Sequence, residues 1–379
     1  MLNALFFLFV TIALAGDPCD SQGDLFHRVF VYDLPAQFVA QKPCAALEVR
    51  LRQLLRNAAQ CVTKDARSAS LFYVPFDVTC LHVELRAHTT PENADARLNA
   101  LSVDLFGWLR NRPYFGLFPE KHVFPFLSSK GPLLVANWRL HLARSILLVP
   151  LEFSVVQPHF DRRMHIVVPQ LLVDAEALSA EGRKFALDDK NARPTLAYFA
   201  GSVTNTLRGA LIHEAVRLNE SAVLRTYVDA IFQSHNLLFR RQLTRSQFCL
   251  LLRGDVDSTL SGIEKNVHQR TAARWSHVEE FVLAQCRPAV VCDRCELPFS
   301  ELIDWNAFAV RLDESDVKRP DIVRIRLQNA TRADAQAVQT AQTLLSWPDK
   351  WNVRQFTLEP SALTALLSLL ATKTKAQQV

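Results

Sequence analysis

Two short apolar runs in this sequence end near glycine, and both could present backbone amides to an anion. Leu196–Ala200 reads as a strand closed by Gly201-Ser202, and Phe248–Leu252 as a strand closed by Gly254. Glycine lets backbone N–H groups approach a phosphate with no Cβ in the way. Arg208 and Arg217 follow Gly201 on the next helical stretch, so the pattern fits a phosphate-bearing ligand. Glycine also ends many strands for conformational reasons alone. Asp255-Val-Asp257 has the spacing of a metal-binding carboxylate pair, but carboxylates dispersed in turns are common, and the segment reads as a loop. Cys292-Asp-Arg-Cys295 stands without a second cysteine pair or spaced histidines, so no metal is assigned to it.

These residues need a frame. From Arg270 to Ala284, Trp275, Val278, Phe281 and Val282 fall at helical spacing, and Ala289–Cys292 is again a short apolar run, entered through Pro288. Strand, helix and strand in that order make a βαβ crossover, whose strand ends and helix N-terminus share one crevice where nucleotides bind. Upstream, strands are predicted at Val29–Tyr32, Ala69–Val74, Glu120–Phe126, Ser145–Val149 and His165–Val168. Leu47, Leu51, Leu54 and Leu55 give one apolar helix face, with Arg50, Arg52 and Arg56 on the wet side, and Ala96–Arg110 predicts a second helix. Alternating strands and helices predict an α/β domain over residues 24–180. The charged stretch Leu178–Arg193 reads as a linker to a second α/β domain over 193–350, followed by a C-terminal helical segment, 351–379. Within these, Ala333–Trp347 and Ser361–Ala371 are helical by spacing.

Charge is balanced, 43 basic against 38 acidic residues for a net +5, and no long basic run stands out. A nucleic-acid surface is therefore excluded, while the mild excess suits a negatively charged substrate. The apolar stretch Leu2–Ala15, with Ala13-Leu14-Ala15 before Gly16, predicts a signal peptide or short signal anchor over 1–16. Cysteines 19, 44, 61 and 80 in one half and 249, 286, 292 and 295 in the other suit disulfides within each half, with Cys249 and Cys292 read as buried thiols because they lie in apolar strands. Asn219-Glu-Ser221 and Asn329-Ala-Thr331 are glycosylation sequons, informative for a chain that enters the secretory pathway.

Several separated motifs agree with one another. They are Val31-Tyr32-Asp33-Leu34-Pro35, Ala69 to Pro75, Lys121-His122-Val123, Arg193 to Gly201, Ser246-Gln-Phe-Cys-Leu250 with Gly254, and Glu296-Leu-Pro-Phe-Ser-Glu-Leu-Ile-Asp-Trp-Asn306. In order and spacing they resemble the exostosin family, glycosyltransferase family 47, over about residues 27–350. The resemblance implies a GT-B fold, two Rossmann-like domains facing a cleft, with the donor held mainly by the C-terminal one. It implies an inverting transfer from a UDP- or GDP-sugar to a glycan or glycoprotein acceptor, with no metal. It further implies a Golgi or endoplasmic reticulum lumen location, membrane-associated or secreted, and pairing with another exostosin-like protein as a hetero- or homodimer.

Counting back from Cys286, the family's Arg-x-x-Glu pattern falls on His277 and Glu280. The resemblance associates the glutamate with the donor ribose and the arginine with the diphosphate. Glu280 matches; His277 does not, and a neutral histidine is a poorer phosphate clamp. Arg274 lies one turn earlier and could reach the same phosphates. A solvated helix face is the alternative for both residues. For the general base, the candidates on the N-terminal side are Asp77, His122 and Asp161. The sequence also departs from the pattern at Lys121, where the family has aspartate, at Leu252, where it has proline, and in the long insert Asp255–Arg270. A glucuronate donor would want one more cation, and Arg287 and Arg294 are candidates. The alternative to an active transferase is a non-catalytic exostosin-like subunit or glycan-binding protein.

Overall fold

The computed structural model describes residues 28–41, 44, 46–58, 61–128, 130–154, 160–170, 172, 175–185, 191–200, 206–217, 224–227, 236–252, 278–348 and 361–376. The predicted leader over 1–16, Cys19, Gly201, Ser202, Asn219, Gly254, the Asp255–Asp257 pair, Arg274 and His277 lie outside them. The chain divides into two compact units. One comprises Met1–Leu171 with Trp347–Val379, the other Leu172–Ser346.

The first unit is a six-stranded parallel sheet in the order β2-β1-β3-β4-β5-β6. Its strands are β1 (Val29–Val31), β2 (Val62–Thr63), β3 (Leu71–Tyr73), β4 (His122–Pro125), β5 (Ile146–Val149) and β6 (His165–Val167). Every residue of β3, β4, β5 and β6 is buried, as expected of a parallel sheet covered on both faces. Helix α1 (Leu47–Asn57) follows β1, with Leu47, Leu51, Leu54 and Leu55 turned inward as their spacing predicts. Helix α2 (Val78–Arg86) follows β3, and α3 (Pro91–Arg110) follows it. The latter begins with proline at its first position, and the Thr90 hydroxyl accepts from the Asn93 amide.

The second unit is a five-stranded parallel sheet in the order β11-β10-β9-β7-β8. These are β7 (Thr195–Ala200), β8 (Leu224–Tyr227), β9 (Ser246–Leu252), β10 (Arg287–Val291) and β11 (Val310–Leu312). The helices are α4 (Ala175–Gly182), α5 (Thr206–Arg217), α6 (Asn236–Arg245), α7 (Val278–Leu283), α8 (Pro320–Gln328) and α9 (Ala335–Leu344). The predicted linker is thus corrected in its first half. Residues 175–182 form a helix of this unit, and Gly182 lies so close to α7 that an added Cβ would stand 2.6 Å from the Leu283 carbonyl oxygen. Arg193 is fully buried and binds four backbone carbonyls, those of Leu243, Ser246, Phe185 and Ala284, at 3.0–3.4 Å. Burial pulls its guanidinium down to about 10, still charged at neutral pH. It bolts α6, α7 and β9 together.

Helix α10 (Ala362–Ala376) belongs to the first unit. The Trp347 indole donates to the Pro169 carbonyl at 3.0 Å and Lys373 to the Arg162 carbonyl at 2.8 Å, tying the returning chain to the edge near β6.

Two disulfides stand within the described residues, Cys44–Cys80 and Cys249–Cys286, and Cys61 is disulfide-bonded as well. Cys249 is therefore not the buried thiol its apolar strand suggested. In the parallel register Pro288 pairs with Cys249, which brings the Cys286 side chain beside it. The bridge closes a separation of 37 residues. Replacing both cysteines by alanine is expected to cost the second unit about 3–4 kcal/mol on the loop-closure account. Denaturant unfolding of the double variant beside the untreated protein measures this, and an unchanged midpoint would show the bridge to be idle.

Candidate active site

In open parallel sheets, ligands bind beyond the carboxyl ends of the strands, where the strand order reverses. In the first unit β1 has β2 on one side and β3 on the other, so the reversal lies between β1 and β3. Three elements converge on their carboxyl ends. Helix α1 brings Glu48 in its first turn, the segment after β3 brings Asp77 as the residue before α2, and the chain leaving β4 brings the Leu127 amide.

Glu48 and Asp77 are both buried, at 1% and 0% exposure. Asp77 meets the Arg52 guanidinium at 2.9 Å. Glu48 Oε1 accepts from the Leu127 amide at 3.2 Å and from the Thr79 hydroxyl. Burial pushes the Glu48 carboxyl up to about 7, opposed by those two hydrogen bonds and reinforced by the neighbouring Asp77 charge. Burial also raises Asp77, with Arg52 opposing, and raises Tyr73, which faces both carboxylates. A carboxyl poised near neutrality is the property a general base or acid needs. Thr79 is half-buried, so its hydroxyl can link Glu48 to the outside: it donates to the carboxylate and keeps lone pairs for another hydroxyl.

His122 and Asp161, the other two base candidates, stand elsewhere. His122 opens β4, at the amino edge of the sheet. It is fully buried, with Nδ1 at 2.8 Å from the Phe118 carbonyl and Nε2 at 2.9 Å from the Tyr32 hydroxyl. The carbonyl can only accept, so Nδ1 carries the proton and Nε2 accepts from Tyr32. Its ring stacks on Phe72 at 4.8 Å, and burial holds it down to about 4, hence neutral. This is the geometry of a core histidine, and it corrects the candidacy of His122 as a general base. Asp161 precedes β6 at the same amino edge and pairs with Arg163 at 3.0 Å. Of the three, only Asp77 stands at the carboxyl ends. Glu48 carries no motif and sits one residue inside a helix otherwise legible as leucines and arginines; only the fold brings it to Asp77.

In the second unit the reversal lies between β7 and β9. Arg208 on α5 stands there, its Nη2 donating to the Leu252 carbonyl at the end of β9 at 3.0 Å and its guanidinium carbon 5.7 Å from the Phe199 ring centre near the end of β7. It is buried, 2% exposed, and braces the strand ends that the candidate glycines follow. Glu280 is half-buried in the first turn of α7, the end of that helix nearer the carboxyl edge because α7 leads into the amino end of β10. The adjacent Glu279 is buried. Arg287 begins β10 at the opposite, amino edge, and donates to the Phe308 and Thr331 carbonyls at 3.1 and 2.8 Å. That position corrects its candidacy as a donor contact. Arg294, exposed just beyond β10, is on the carboxyl side.

The Glu296–Asn306 motif proves to be a packing device. Leu297, Phe299, Ile303, Trp305 and Phe308 are all buried, the Trp305 indole donates to the Pro298 carbonyl at 3.0 Å, and Asp304 caps the short turn through the Asn306 amide. Phe299 holds a left-handed φ of 49°, a conformation that a bulky residue adopts only when its surroundings enforce it. Among the described residues no group of three or more histidine, cysteine or acidic side chains could hold a metal ion.

Two parallel-sheet units, each flanked by helices and each with candidate site residues at the carboxyl ends of its strands, are what a GT-B-like glycosyltransferase fold provides. The Exostosin GT47 domain profile matches residues 26–327, and the chain belongs to that family. A relative named as a probable glucuronoxylan glucuronosyltransferase in Arabidopsis thaliana is 25% identical over 338 residues, 82% of this chain and 66% of the relative. A probable glucuronosyltransferase of Oryza sativa subsp. japonica is 27% identical over 78% of this chain and 68% of its own length. A probable beta-1,4-xylosyltransferase of Arabidopsis thaliana is 24% identical over 78% of this chain and 70% of its own length. The chain thus spans about two thirds of the length of these curated relatives.

Proposed function

We propose that this chain is an inverting glycosyltransferase that moves a glucuronosyl or xylosyl residue from a UDP-sugar to a glycan acceptor. The observation that carries the reading is the buried pair Glu48 and Asp77, with Arg52 on Asp77, at the strand reversal of the first unit, with a carboxyl held at about 7. Inverting transfer is one displacement. The acceptor hydroxyl oxygen attacks the anomeric carbon, its proton passes to a base, and the bond to the diphosphate oxygen breaks on the opposite face. Glu48 is the base, reached through the Thr79 hydroxyl, and burial, reinforced by the Asp77 charge, keeps its affinity for the proton high. In the second unit, Arg208 and the glycines at 201 and 254, together with Ser202, belong to the diphosphate side. Arg274 completes the cation set, His277 stands in the sequence where the family has arginine, and Glu280 holds the ribose. Relatives named for glucuronosyl and xylosyl transfer support the choice of donor. Arg294 is the cation suited to a uronate carboxylate.

The disulfides at Cys44–Cys80 and Cys249–Cys286 support an oxidising lumen, Golgi or endoplasmic reticulum, and an exposed Asn329 sequon suits the same compartment. A second exostosin-like chain is the expected partner.

His277 in place of arginine and Lys121 in place of aspartate favour a second reading, a non-catalytic subunit. A donor screen by nucleotide release separates the two: UDP-glucuronate and UDP-xylose, among a panel of UDP- and GDP-sugars, are expected to yield UDP in the presence of a xylan or related oligosaccharide. No release from any donor, together with no heat on titrating UDP, would overturn the transferase reading in favour of the subunit.

A further inference from the structure

Cys292 and Cys295 are the two free cysteines among the described residues, in a chain whose Cys44, Cys61, Cys80, Cys249 and Cys286 are all bridged. Cys292 is the first residue beyond β10 and is buried; its amide donates to the Leu312 carbonyl at 3.2 Å. The next residue, Asp293, accepts from the Glu314 amide at 2.9 Å, so the turn leaving β10 is fastened to the end of β11. This turn then brings Cys295 back, half-buried, within hydrogen-bonding reach of Cys292. Arg311 on β11 places Nη1 3.5 Å from Cys295 Sγ. The pair is therefore asymmetric in geometry: Cys292 is buried, and Cys295 is half-buried beside a guanidinium.

We infer that Cys292 and Cys295 form a redox-active dithiol that exchanges with low-molecular-weight disulfides of the glutathione type, Cys295 attacking and Cys292 resolving. The half-buried Cys295 sulfur has what a nucleophilic thiol requires. The Cys292 thiol donates to it and the Arg311 charge stabilises its anion, which together hold Cys295 below the ordinary thiol range against burial and the nearby Glu296 carboxylate. Cys292 is pushed upward by that same hydrogen bond, by burial and by Glu314, so it remains the protonated partner. In the first step the Cys295 thiolate attacks one sulfur of glutathione disulfide. A mixed Cys295–glutathione disulfide forms, and one glutathione thiolate leaves and takes up a proton. In the second, Cys292 gives up its proton and attacks Cys295 Sγ, forming the Cys292–Cys295 bond and expelling the second glutathione. Two protein thiols lose two electrons and two protons, and the external disulfide gains them. A structural metal would need two further ligands, and among the described residues none join the pair. The dithiol is tested without any sugar, so its failure and that of the transferase reading are distinguishable.

The test uses the full chain equilibrated in glutathione buffers graded from reducing to oxidising. Differential alkylation and peptide mass spectrometry then follow each cysteine. The expected result is a reversible Cys292–Cys295 disulfide while the other bridges stay intact. In the Cys292→Ser variant a single glutathione adduct should accumulate on Cys295, and Arg311→Gln in the otherwise native chain should slow alkylation of Cys295 at neutral pH severalfold. The Arg311 variant keeps both cysteines, so it reports even if the serine variant fails to fold. Two thiols that stay reduced at the oxidising end of the series, or Cys292 reacting before Cys295, would overturn the proposal.

Discussion

Glu48→Gln is expected to lower kcat for sugar transfer by about 10²- to 10⁴-fold, the range general-base catalysis contributes, while the fold is retained. The amide keeps an oxygen where Oε1 accepts from the Leu127 amide and from Thr79, so packing and donor satisfaction survive. What disappears is the proton acceptor. The pH dependence follows from the same shift: wild-type kcat should rise through about pH 7, where the Glu48 carboxyl ionises, and level off above it, whereas the glutamine variant should show no such limb. Stability moves the other way. The carboxyl is held near 7 when folded against an ordinary 4.5, so between those values this group is more protonated folded than unfolded, and its contribution to stability falls as pH rises through that window. At about 1.4 kcal/mol per pKa unit, the ionised glutamate costs the fold about 3 kcal/mol above pH 7. Thermal unfolding of both proteins from pH 4 to 8 should show the wild-type Tm falling relative to the variant Tm as pH rises through that window, because buried His122 and His165 act on both proteins alike and cancel in the comparison. A glutamine variant that turns over at the wild-type rate would remove Glu48 from the mechanism.

That prediction rests on a residue the sequence does not advertise, and the reason is topological. Strands such as Ile146–Val149 and Leu71–Tyr73 are legible because a parallel sheet buries both faces and leaves an unbroken apolar run, often closed by proline. Val62–Thr63, Leu224–Tyr227 and Val310–Leu312 are not, since each is short, contains a polar residue, and is held by ladder hydrogen bonds to a neighbour distant in sequence. The same contrast governs the site. Glu280 can be found by counting along one motif, because its helix and the following strand are contiguous. Glu48, Thr79 and Leu127 come from three different strand–helix connections, and no local spacing joins them. His122 misleads for the opposite reason. Its motif is real, but it records a histidine wedged against Phe72 and Tyr32 in the core. Likewise the Glu296–Asn306 block identifies the family through packing around Trp305 and Phe299 more than through chemistry.

Glu280→Ala is expected to lower kcat/KM for the donor by about 10- to 100-fold, the worth of about 1.5–3 kcal/mol for a hydrogen bond to a charged group. Glu280 is half-buried at the end of α7 nearer the carboxyl edge, so its truncation should change stability by no more than about 1 kcal/mol. The fall in rate alone would not say which part of the donor it touches. A ribose contact makes a sharper demand. UDP lacking its ribose 2′- and 3′-hydroxyls should bind the wild-type chain more weakly than UDP does, by the energy of the lost hydrogen bond. To Glu280→Ala the two nucleotides should bind alike, because the partner is already gone. Calorimetry on the four combinations forms a double-mutant cycle whose coupling isolates that one interaction from any general loosening of α7. A coupling of zero with turnover still reduced would move Glu280 off the ribose and onto the helix, and unchanged turnover would take it out of the donor site altogether. The cycle also bears on His277. If UDP binds the wild-type chain with a normal coupling at Glu280, the nucleotide is seated without the family's arginine at that position, and the remaining cations must carry the diphosphate.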